Sequence, residues 1–195
     1  MRTRQSWTSA RQVVMAIASG LFLASCVNTA STVSTEFYSV TGSTSEQLDS
    51  ELRRKGPLNG HALASAAIRF EPVSVFQQIS ASGCSYKTAK FRVDANITLP
   101  RWANRRQSSD RELRRAWDGL ARYAKAHEET HVRIAETFAK ALGNALMDIP
   151  AQKDCEKLDR ESKKVVDRIS RNHDRAQKAF DAEEQRRLAA LFAES

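Results

Sequence analysis

The sharpest pattern in the chain is the run "KFRVDANITLP". Phe91, Val93, Ala95, Ile97 and Leu99 alternate with Lys90, Arg92, Asp94, Asn96 and Thr98. A period of two means an extended strand with one face buried and one face wet. Weaker alternation runs over residues 65–70 and 73–79, interrupted by Pro72, and "SASGC" between Ile79 and Cys84 supplies a turn. These runs predict an antiparallel meander of about three strands, ended by Pro100. Ahead of it, "EFYSV" reads as a short strand. Ser45 to Arg54 reads as a short helix stopped by Gly56 and Pro57.

After Pro100 the period becomes helical. Ser109-Asp110-Arg111-Glu112 is a capping box that starts a helix near Asp110. The stripe that follows is Leu113, Trp117, Leu120, Ala124, His127, His131, Ile134, Phe138, Ala141 and Ala145. Its steps of three and four put one face toward a core. Pro150 breaks the pattern, and a second helix carries Cys155, Leu158, Ser162, Val165, Ile169, His173, Ala176 and Phe180. The expected fold class is α+β, with a small antiparallel meander sheet packed on a long antiparallel helical hairpin. A bare helical hairpin or coiled coil is the rival reading. The strands ahead of it and the polar residues on both stripes argue against that.

The N-terminus carries a different kind of pattern. Arg2, Arg4 and Arg11 precede an apolar run from Val13 to Ala24, too short to span a bilayer comfortably. Leu23-Ala24-Ser25-Cys26 closes it, as in a bacterial lipoprotein signal whose cysteine is acylated and becomes the first residue. The expected organisation is therefore a signal peptide over 1–25, a flexible tether over 26–35 and one α+β domain over 36–195. Val27 after the cysteine, in place of Asp, points to the outer membrane, facing the periplasm. In an exported chain the two remaining cysteines, Cys84 and Cys155, read as one disulfide.

The chain has 31 Lys plus Arg against 23 Asp plus Glu. Three of the Arg lie in the signal segment, which holds no acid, leaving 28 against 23. The signs alternate along the chain and no aromatic residues are interleaved in a basic patch. That is a solvated helical surface, and nucleic acid is not an expected partner.

Against this frame, the stretch "YAKAHEETHVRIAE" holds His127-Glu128-x-x-His131 in the middle of a helix. Two imidazoles four residues apart share a face and can reach one Zn²⁺. Glu128, one step round, is placed to take a proton from water held at the ion. Both histidines lie on the core-facing stripe, where unpaired ring nitrogens are costly. For the third ligand the expectation is His173. With the hairpin turn at about residue 151, His127 and His131 stand level with about 175 and 171, on either side of His173. Asp181 is the reserve, level with about 121 and just off the stripe, and His61 in "LNGHAL" is a further candidate. Glu136, nine residues from His127, points to the opposite side of the helix. Asp159 is level with about residue 143, far from the motif. Tyr86 and Tyr123 are candidate oxyanion donors by residue type alone.

The residues also resemble a known family over roughly 36–185. The likeness rests on "FYSVTGST", Gly56-Pro57, Cys84, the "LP" before Trp102, Trp117 ten residues ahead of the motif, "HEETH" and Cys155. The family is the bacterial one of predicted secreted zinc-dependent proteases, filed among domains of unknown function. The resemblance implies an exported α+β domain with a zinc-type motif. Family members often continue with Tyr-Asp, then Thr, then His-Gly. Here the stretch is "FDAEEQRR", and Arg186 stands where the His would be.

Two readings of function follow. One is a lipid-anchored zinc metallohydrolase of the cell envelope, a peptidase acting on peptide or protein substrates. The alternative is a non-catalytic envelope lipoprotein with a degenerate metal site and a binding or structural role.

Overall fold

A computed structural model describes residues 30–193. The signal segment and Cys26 lie outside the described residues. The elements are β1 (Thr32–Val40), α1 (Ser45–Lys55), a four-residue turn α2 (Pro57–Gly60), β2 (Ser65–Ser80), β3 (Gly83–Trp102), α3 (Arg111–Met147) and α4 (Cys155–Ala193). The architecture is α+β, as expected. The start of β1 at Thr32 means that the last residues of the expected tether, 32–35, belong to a strand.

The sheet has the order β1-β3-β2, and it is mixed rather than an antiparallel meander. β2 and β3 form an antiparallel hairpin turned at Ala81 and Ser82. β1 pairs with β3 in parallel, from Thr32 opposite Asp94 to Val40 opposite Trp102. The connection explains this. β1 ends, and β2 begins, at the same end of the sheet, so the segment carrying α1 and α2 passes over the end of β3. That leaves two strand spacings, about 10 Å, between β1 and β2. The returning β3 fills the gap. Pro72 does not divide β2; the strand runs through it as an edge strand, with register shifts between Pro72 and Ser74 and between Phe76 and Gln77.

The alternation in β3 sets the core. Val93, Ala95, Ile97 and Leu99 are all buried on the face that meets α3, together with Ala124, Val132, Ala135 and Ala139 of the helix. Alanines on this side let the helix come close to the strand. At Gly143 the approach leaves no room for a side chain: a Cβ there would stand 2.5 Å from the Ala89 carbonyl oxygen. The helix starts near Asp110 as expected, but through a single cap rather than the Ser109–Glu112 box: the Asp110 side chain accepts from the backbone N–H of Glu112 and Leu113. A second cluster, Val40, Leu48, Trp102 and Trp117, holds α1 to the start of α3.

The sheet-facing side of α3 is Trp117, Ala124, Glu128, Val132, Ala135, Ala139, Leu142 and Leu146. It lies about one position round from the stripe read in the sequence. The sequence stripe is the seam between α3 and α4 instead. His127, His131, Ile134 and Phe138 are half-buried there.

α4 is fixed at its start by the Cys84–Cys155 disulfide, and Leu158 just beyond it is fully buried. The residues before it do not form a tight turn. Gln152 makes a two-bond bridge with Cys84, N–H to carbonyl at 2.8 Å each way. No helix among the described residues is long and apolar enough to cross a membrane.

Candidate metal centre

Three side chains from α3 and α4 converge at the middle of their seam. His127 Nε2 and His131 Nε2 are 3.1 Å apart. Asp181 Oδ1 lies 3.3 Å from the first and 3.0 Å from the second. The helical repeat of α3 makes half of this arrangement, because positions i and i+4 lie one above the other on one face. α4 supplies the rest. Phe180, next to Asp181, sits against both imidazoles, with ring centroids 4.8 Å from His127 and 5.1 Å from His131.

His127, His131 and Asp181 could hold a metal ion. Zn²⁺ takes histidine nitrogens and carboxylate oxygens at about 2.0–2.2 Å, and tetrahedral angles then put neighbouring ligand atoms about 3.3 Å apart. The three separations here, 3.0–3.3 Å, are at or a little below such edges. Two imidazoles and one carboxylate are also a usual donor set for a catalytic site, which keeps a fourth position open. Burial holds the His127 imidazolium below its ordinary pKa range, and the neighbouring His131 adds to this while Asp181 opposes it. The neutral ring so favoured is the form that ligates a metal.

Glu128 is the other distinctive group. It is 5% exposed, on the sheet-facing side of α3. Burial raises its pKa; His131 opposes the shift and Asp181 reinforces it. Its side chain lines a cavity of about 180 Å³ with His127, Tyr123, Ala124 and the segment Ala62–Ala64. That segment is held by the Tyr38 hydroxyl, which donates to the Leu63 carbonyl at 2.7 Å.

The placements sort the sequence candidates. His127 and His131 point into one group, as expected. Asp181 occupies the third place, and His173 does not. His173 sits beside it, with its Nε2 2.8 Å from Gln177 Nε2 and its ring against Phe70 and Phe138. The helices are offset by six residues from a symmetric turn at 151, since His127 faces 181 and not 175. That is about 9 Å along a helix axis. The bridge of Gln152 to Cys84 carries the connection over to the hairpin tip before α4 starts, so the two helices are not a symmetric hairpin about residue 151.

His61 is exposed and outside the group. Tyr123 borders the cavity, donating its hydroxyl to Glu184 at 3.2 Å. Tyr86 is bonded to Ser162 in another part of the core. Arg186, at the place of the family's distal His, pairs with Glu183 on the exposed side of α4. Residues 173, 177, 181 and 184 face the seam, and 186 does not. Two residues at the site were not singled out from the sequence, Gln177 and Glu184. The steps of four, four and three from His173 were the available signal.

Asp181→Ala should therefore lower metal affinity at least tenfold, and Arg186→Ala should leave it unchanged within about twofold. Titration against a competing chelator checks both. Equal effects of the two would contradict this placement of the third ligand.

No curated protein and no solved structure matches this chain. A family model does: that of "Bacterial protein of unknown function (DUF922)", over residues 35–187, and the chain belongs to that family.

Proposed function

We propose that the protein is a zinc-dependent hydrolase of the bacterial envelope, acting on peptide bonds. The observation that carries this reading is the convergence of His127, His131 and Asp181 at 3.0–3.3 Å with a buried carboxyl, Glu128, beside them. Zn²⁺ bound there supplies a Lewis acid that polarises a carbonyl group and acidifies water. The residues of the chain do the rest. His127 and His131 contribute neutral nitrogens, and Asp181 contributes the one negative charge. Glu128 takes the proton from the attacking water and returns it to the departing amine. Its raised pKa brings it nearer to neutrality, where a group that must both accept and donate works best. Tyr123, on the cavity wall, donates its hydroxyl to Glu184.

Export is supported by the disulfide and by the signal-like segment of the sequence. Cys26 is the residue we assign to the lipid, with Thr32, the first residue of β1, only six positions on. The domain would then stand within about 20 Å of the bilayer.

Metal analysis of the purified protein tests the first step. The wild type should carry close to one equivalent of zinc and His131→Ala almost none. Equal contents in the two proteins, both near zero, would sink the reading in favour of a binding or structural lipoprotein.

A further inference from the structure

We propose that Gln177 is a positioning residue that selects the tautomer of His131, and that His173 in turn holds the Gln177 amide. The proposal rests on the reading of His127, His131 and Asp181 as metal ligands.

The Gln177 amide makes three contacts. Its nitrogen lies 3.1 Å from the backbone carbonyl of His131 and 2.8 Å from His173 Nε2, and its oxygen lies 2.6 Å from His131 Nδ1. An amide's oxygen and nitrogen are assigned from such networks, and here the network is decisive. A backbone carbonyl can only accept, so the atom facing it must be the amide nitrogen. The atom facing His131 Nδ1 is then the oxygen, which can only accept. Nδ1 must therefore carry a proton. In the neutral ring, His131 Nε2 is left with a bare lone pair, aimed at His127 Nε2 and Asp181 Oδ1.

Without a cation or a proton between them, a lone pair and a carboxylate 3.0 Å apart repel. With a cation, the same tautomer is the required one, since a ring that donates through its far nitrogen is oriented and made more basic at the near one. His173 has a matching part. Its Nε2 accepts the second amide hydrogen of Gln177, so that lone pair is already engaged. This gives a chemical reason, besides distance, why His173 is not the third ligand. Flipping the amide would set its oxygen against the His131 carbonyl, which can only accept.

The test uses purified ¹⁵N-labelled protein and zinc alone. In the metal-free wild type, long-range ¹H–¹⁵N correlations should show the His131 proton on Nδ1, and in Gln177→Leu the Nε2–H form should appear. Gln177→Leu should weaken zinc binding by about 10–100-fold. His173→Ala should keep one zinc with a loss of no more than about tenfold.

The proposal is overturned by a His131 proton on Nε2 in the wild type, or by zinc binding in Gln177→Leu equal to wild type. Loss of zinc in His173→Ala as complete as in His131→Ala would also overturn it. If the wild type takes up no zinc, the hydrolase reading fails. The tautomer measured in metal-free protein still decides the role of Gln177.

Discussion

Glu128→Gln is expected to reduce peptide hydrolysis by at least about a hundredfold while zinc content stays at the wild-type level. Glu128 shares a turn with His127, yet its side chain points to the sheet side of α3 and into the cavity, outside the three converging ligand atoms. Losing its charge should not remove a ligand. General acid–base catalysis by one placed group contributes on the order of 10²–10⁴ in rate, which sets the expected loss. Gln is the informative replacement because it fills the same volume at a site only 5% exposed and cannot accept a proton. Ala would add a packing defect among Ala124 and Val132. The measurement is kcat/KM on a peptide substrate alongside metal content. Full activity in a Gln variant that still holds zinc would remove Glu128 from the mechanism.

Breaking the Cys84–Cys155 disulfide should cost about 4 kcal/mol of stability, from the chain entropy of a closed loop of this length. The two cysteines are 71 residues apart in sequence, and Cys84 is buried at the tip of the β2–β3 hairpin. For a domain of this size, such a loss lowers the melting temperature by about 8–16 °C. Cys84→Ser/Cys155→Ser and reductant-treated wild type should melt together. The backbone bridge between Cys84 and Gln152 remains in both. Zinc affinity at 25 °C should change little, because Asp181 lies 26 residues beyond Cys155, about 39 Å along α4. A melting temperature unchanged by reduction would show that the bridge and the Leu158 contact alone fix α4.

These two experiments touch opposite ends of what was legible in the sequence. The motif itself was legible, since the i, i+4 spacing is a property of one helix and needs no partner. So were the alternation of β3, the cap at Asp110 and the pairing of the only two cysteines after Cys26. The choice between His173 and Asp181 was not. It depends on how far α4 slides along α3, and each helix shows the same stripe at every offset. The connection over residues 148–154, with its bridge to Cys84, fixes that offset. The burial of Glu128 was likewise hidden, because a stripe read at three and four residues does not say which edge meets a sheet and which meets a helix.

The parallel seat of β1 was equally out of reach. Its side chains read as a strand, but parallel and antiparallel neighbours accept the same alternation. The direction followed from where the α1–α2 connection sets β2 down. Spacing within single segments is therefore enough for the local elements and the His-Glu-x-x-His motif, and a count of cysteines is enough for the disulfide. Only the packing of α4 on α3 brings Asp181 rather than His173 to the two histidines and sets Gln177 against His131, and only the packing of α3 on the sheet buries Glu128. Each of these depends on the relative placement of two segments that no local period encodes.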